Sequence, residues 1–224
     1  MKQYTHVLNL CGILLLVFFL GACSESPNKA NADIPEGFIS QDELKAIEII
    51  DDDNRHLVGK DIYVTSVEVH PADQDIGSID LESPDREIPD EIPDNPIIQS
   101  LASPDLYFGR TIQIFEIDGT TTPELIGPNG AIGVFALDDN AGWYCQKGDI
   151  LSWTFEKHPL YEKSGLTIAV GYVKDGVMHE YVPFQNQPGG TYELNVEEGG
   201  YYYIYFICAS SDPISLAEGQ IQIR

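Results

Sequence analysis

Basic residues are scarce in this 224-residue chain: 12 Lys and Arg stand against 36 Asp and Glu, a formal net charge of −24. A surface of that sign repels phosphodiester backbones, which excludes nucleic-acid binding as a function class. Long hydrophobic runs are missing too. The longest, residues 8–20, falls below the ~18 to 20 apolar residues that cross a bilayer as a helix, so no membrane-spanning anchor is expected. Catalytic signatures are also absent: the chain contains no G-x-S-x-G, H-x-x-x-H, H-x-H or C-x-x-C. The usual frames for a serine hydrolase and for a zinc centre are therefore lacking, and neither metal nor cofactor is expected.

What is present begins with a leader. Lys2 opens a short positive region, the apolar run follows, and the run ends in Leu20-Gly21-Ala22-Cys23. This resembles the lipobox of bacterial lipoproteins, in which small residues precede a Cys that is lipidated on sulfur and becomes the first residue of the mature chain. The resemblance implies a diacylglycerol thioether on Cys23, a membrane partner held through lipid, and an extracytoplasmic cell-envelope location. At ~0.8 kcal/mol per buried methylene, two or three acyl chains anchor a protein stably. Four regions are expected: a signal peptide over 1–22, a flexible Ser/Asn/Pro/Ala tether over 23–34, a small region over 35–100, and a folded domain over 101–224.

In the 35–100 region, Ser40-Gln41-Asp42-Glu43 has the S-x-x-E form of a capping box. Leu44, Ile47 and Ile50 follow at helical spacing, so one short helix is predicted there. Residues 62–69 are rich in β-branched side chains and predict a strand with a bulge near Ser66. Beyond them, Pro84, Pro89, Pro93 and Pro96 punctuate an acidic stretch. Proline at that density fixes φ and removes ladder donors, so an extended acidic loop is expected. Within it Asp73, Asp75, Asp80 and Glu82 supply alternate carboxylates around Gly77. The run is shorter than an EF-hand loop and reads as a solvated acidic loop, with calcium-stabilised adhesion as a third functional candidate.

From residue 107 onward short apolar runs alternate with turn residues, which predicts an all-β chain folded as an antiparallel β-sandwich. Strands are expected over residues 110–117, 131–137, 150–156, 167–173, 192–196, 201–209 and 220–223, with a hairpin turn at Asp175-Gly176. The run from Gly199 to Cys208 is the centre of the pattern. One of its faces carries Tyr201, Tyr203, Tyr205 and Ile207, and the other Tyr202, Ile204, Phe206 and Cys208. Neither suits open water, so both must be covered or one must bind a partner. The succession Gly148-Asp149, Trp153 and Phe155, Ala169-Val170-Gly171-Tyr172, Gly199-Gly200-Tyr201, Ser210-Ser211 and Gly219 resembles GOLD-type β-sandwich modules over residues 143–224. It is also similar to uncharacterised extracytoplasmic modules of bacterial lipoproteins. That resemblance implies a jelly-roll or GOLD-like module for interaction or structure, without a catalytic site.

With Cys11 in the leader and Cys23 lipidated, Cys145 and Cys208 remain, and outside the cytoplasm they are expected either to pair or to stay as buried thiols. The aromatics Trp143, Tyr144, Tyr161 and Tyr181 are the candidate ligand-binding residues, since a ring offers an apolar face and a polar tip to a sugar or a peptide. The competing assignment places most of them in the core. Two functions follow. A non-catalytic interaction module for an envelope protein or glycan would expose an aromatic row, whereas a small glycan- or peptide-hydrolase would hold two facing carboxylates drawn from Glu156, Glu162, Glu180 and Glu193.

Overall fold

The structure is a computed structural model that describes residues 34–40, 42–63, 95–103, 106, 112–160 and 166–224. Cys23, Tyr161, Glu162, the Asp73 to Glu82 run and the Pro84 to Pro93 stretch lie outside the described residues, as does the predicted 62–69 strand beyond Tyr63.

Two sheets face each other. The first has seven strands: β4 (Ser100–Leu101), β12 (Val177–Gln185), β11 (Thr167–Lys174), β14 (Gly200–Cys208), β8 (Ile132–Ala136) and β5 (Ile112–Glu116) lie side by side, and β9 (Trp143–Cys145) pairs with the start of β14. The second runs β13 (Gly189–Asn195), β10 (Ile150–Glu156), β16 (Gly219–Ile223) and β6 (Thr121–Thr122). A smaller three-stranded sheet joins β15 (Ile214–Leu216), β7 (Leu125–Gly127) and β2 (Glu48–Ile49), and β1 (Phe38–Ile39) pairs with β3 (Asp61–Ile62). Most pairings are antiparallel. β5 and β8 pair in parallel because the chain between them crosses through β6 and β7, in other sheets, and returns in its original direction.

The core lies between the two main sheets. Leu151, Trp153 and Phe155 of β10, with Tyr192 and Leu194 of β13, pack on Phe135 of β8, on Ile204 and Phe206 of β14, and on Ile168 and Val170 of β11. Trp153 is the hub: its ring centroid lies 4.7 Å from Phe155, 5.1 Å from Phe135 and 5.6 Å from Phe206. Phe206 lies flat across Gly133, opposite it in register, where any Cβ would collide with the ring. The outer face of the seven-stranded sheet is buried as well. Val134, Ala169, Val173, Met178, Tyr205 and Ile207 lie there under Ile97, Ile98 and Leu106.

The alternation that predicted seven strands is met at each of them, because a half-buried or fully buried strand must repeat with period two. The Asp175-Gly176 turn has φ of 52° and 77°, the left-handed pair that a two-residue hairpin between right-twisted strands requires. The predicted helix is a correction. The Ser40 amide donates to Glu43 Oε1 at 3.2 Å, half of a capping box, but residues 42–50 form no helix. Leu44, Ile47 and Ile50 are all buried, but without a helix. The backbone of Ile47 is held by the amide of Gln113, whose Oε1 accepts from the Ile47 N–H at 2.6 Å and whose Nε2 donates to the Ile47 carbonyl at 2.9 Å. Glu48 and Ile49 then pair with β7. Spacing of three puts apolar groups on one helical face, but an exposed sheet edge offers both burial and backbone partners, and that outweighs the local preference.

Candidate functional site

Alternation along β9 and β14 decides which aromatics reach the surface. Tyr144 stands opposite Tyr201 and Trp143 opposite Tyr202. Tyr202 points inward with Ile204 and Phe206, so Trp143 does too; it is 6% exposed and belongs to the core rather than to a ligand-binding set. Tyr144 and Tyr201 point outward, at 58% and 59% exposure. Their rings meet edge to face, with centroids 5.3 Å apart and planes at 64°. Tyr203 continues this face. Its hydroxyl donates to the Asn140 carbonyl at 3.0 Å, and its ring covers Gly142. The outer face of the central strand is thus buried at Tyr205 and Ile207, with Ile97, Ile98 and Leu106, and open at Tyr201.

Charged groups gather at the same end. Asp175 follows Lys174, which is registered with Tyr202, and Asp139 precedes the Asn140 that holds Tyr203. Lys174 Nζ lies 2.6 Å from Glu198 Oε2 and 3.6 Å from Asp175 Oδ2, and 5.8 Å from the centroid of the Tyr202 ring. The hydrogen bond that Lys174 donates to Glu198 raises the Lys174 pKa and lowers that of Glu198. Tyr202 in turn donates to the Glu198 carbonyl at 2.5 Å, which fixes the turn leading into β14.

Tyr181 is 36% exposed but sits apart, in the bulge where β12 slips between Val170 and Tyr172 of β11. Strand spacings place it on the order of 15 Å from the Tyr144 pair. Glu180 beside it has φ of 62° and gathers two tyrosines: Tyr192, from the opposite sheet, donates to its carboxylate at 2.5 Å, and Tyr205 donates to its carbonyl. This contact ties the two sheets together at their β12/β13 edge. Burial and the nearby Glu180 raise the pKa of both phenols.

Of the carboxylates proposed for hydrolysis, the three among the described residues do not converge. Glu180 reaches Tyr192 on the inner face of β13, whereas Glu193 alternates to the outer face and pairs with Arg224. Glu156 ends β10, opposite Gly189 and four residues beyond the Ser152 that pairs with Glu193. That separates it from Glu193 by about 13 Å. His158 Nε2 lies 3.4 Å from Glu124 Oε1, with Arg55 on the other carboxylate oxygen at 2.9 Å, and His179 stacks on Tyr172 at 5.0 Å. Among the described residues no hydroxyl or thiol hydrogen-bonds to either histidine, and no group of three metal-ligating side chains occurs.

The expected Cys145–Cys208 bridge is a second correction. Both residues are free and buried. Cys145 is registered with Gly200 at the start of β14, and Cys208 is the last residue of that strand. The two lie about 26 Å apart at ~3.3 Å per residue, against the ~7 Å Cα separation a disulfide tolerates. Cys145 instead donates to the Trp143 carbonyl at 3.7 Å. Burial, assisted by Asp149, pushes the Cys145 pKa up to about 11, and burial alone pushes Cys208 to about 12.

No protein-family model matches this chain, and no curated protein matches it. Among solved structures it is similar to PliG of Aeromonas hydrophila, a periplasmic lysozyme inhibitor of g-type lysozyme. The two are 12% identical with a TM-score of 0.30, over 50% of this chain and 97% of that one.

Proposed function

We propose that this chain is a cell-envelope lipoprotein that presents a non-catalytic β-sandwich, of the GOLD-like kind its sequence resembles, as an interaction module for a protein or a glycan. The observation that carries the reading is the Tyr144–Tyr201 pair, two large rings held by cross-strand register and more than half exposed. A folded chain gains by burying tyrosines, and rigid exposed ones are the side chains that contribute most at interfaces. The separation of Glu156, Glu180 and Glu193 supports a role without hydrolysis. The Leu20-Gly21-Ala22-Cys23 lipobox supports display outside the cytoplasm on a lipid. Photo-crosslinking in cells tests the reading: benzoylphenylalanine replaces Tyr144 or Tyr201 in turn, with Ile223, exposed at 41% on the other main sheet, as control. Discrete adducts at 144 and 201 but not at 223 are expected. Equal labelling at all three positions, or none, rejects the module.

A further inference from the structure

Resting on that reading, we propose that the Tyr144–Tyr201 surface binds a cationic protein, taking Lys or Arg side chains against the tyrosine rings with their charged heads among the neighbouring carboxylates. Ring geometry argues first. A glycan chain stacks successive sugar faces on rings that share a plane, whereas these two planes meet at 64° and one ring turns its edge to the other. The notch between them fits an aliphatic stem ending in a cation, which a tyrosine face attracts. Charge argues second. Asp138 and Asp139 are exposed next to the Asn140 whose carbonyl holds Tyr203, on the face of β14 that carries Tyr201, while Asp175 and Glu198 lie across the strand with Lys174. A net charge of −24 steers basic partners toward the whole molecule.

The same recognition already occurs within the chain. Lys174 places its ammonium 5.8 Å from the Tyr202 ring centroid and bonds Glu198 and Asp175 on the inner side of the strand. Tyr201, the preceding residue, offers its ring on the outer side, where no cation lies over it among the described residues.

Binding of the full chain in detergent is measured against three probes: cytochrome c as a basic protein, the same protein with its lysines acetylated, and chitohexaose as a neutral glycan. Tyr144→Ala/Tyr201→Ala leaves the net charge unchanged and is expected to weaken cytochrome c binding by about tenfold or more. Asp138→Asn/Asp139→Asn is expected to weaken it further than Asp118→Asn/Glu156→Gln, which removes the same charge elsewhere. Acetylated cytochrome c is expected to bind far more weakly. Circular dichroism confirms that each variant is folded. If the tyrosine variant binds cytochrome c as the wild type does, attraction is bulk charge and the inference falls. If chitohexaose binds through the tyrosines and cytochrome c does not, the partner is a glycan: the inference falls while the interaction module stands. Loss of tyrosine-dependent binding to every probe, together with absent crosslinks at 144 and 201, removes both.

Discussion

Lys157 shows how much a single residue carries in this sandwich. It follows the last residue of β10 at 8% exposure, and its ammonium donates to the carbonyls of Leu166 at 2.8 Å and Phe184 at 2.9 Å, linking β10 to the β11/β12 hairpin of the opposite sheet. Among the described residues no carboxylate pairs with it. Burial therefore lowers its pKa to about 8. Below that pH both folded and unfolded chains hold the proton, and the group adds no pH dependence. Between pH 8 and the ordinary lysine value the unfolded chain binds a proton that the folded chain has released, so stability from this group rises with pH. Urea unfolding of the wild type minus Lys157→Met is expected to rise by on the order of 2–3 kcal/mol across that window. A flat difference contradicts the burial of a charged amine. The two thiols titrate in the opposite sense, because raised pKa values favour the folded state below pH 9 and that contribution is lost as pH climbs. Neither native thiol should react with Ellman's reagent at pH 8; both should react in guanidinium, and dithiothreitol should leave the melting temperature unchanged.

At the scale of elements, β14 organises the molecule because both its faces are apolar and it sits between β11 and β8. Its composition declared that role, since nine successive residues without a charge suit a central strand. β2 is the reverse case. Two residues make its ladder with β7, and a side chain, Gln113, completes its attachment. Gln113→Ala leaves a partly buried N–H and C=O at Ile47 without partners and is expected to cost about 1–3 kcal/mol. Amide exchange at Ile47 should accelerate markedly while that of Val170, in the middle of the large sheet, changes only with global stability. Unchanged exchange at Ile47 would show that β2 holds through β7 alone. No sequence pattern announces such a link, because the partners are 66 residues apart.

For the molecule as a whole, an acylated Cys23 and an exposed tyrosine pair make one proposed device: lipid holds the chain at a membrane while the folded domain displays an acidic, aromatic surface. Expressed in a bacterium, the full chain is expected in the membrane fraction with a mass that includes the diacylglyceryl and amide-linked acyl groups on residue 23. Cys23→Ala is expected to leave that fraction unlipidated, its leader uncut by the lipoprotein peptidase. Retention of an unmodified wild-type chain in the soluble fraction would end the anchoring proposal. The candidate site was legible in part. Residue type alone points to Tyr144, and alternation along β14 sets Tyr201 on the face opposite Tyr202 without telling which of the two faces is open. Trp143 was misplaced because facing depends on which strand lies opposite, and β9, three residues long, is too short to show a period of its own.

The sequence by itself determined that the chain is built of β-strands, where the longer ones run, and that its surface is strongly acidic, since alternation, turn chemistry and charge are local properties of adjacent residues. Only the tertiary structure decided that residues 42–50 form no helix, that Cys145 and Cys208 lie at opposite ends of β14, and that Tyr144 meets Tyr201 in the open. Each of these depends on which distant segment lies alongside, a choice made by burial of the whole core.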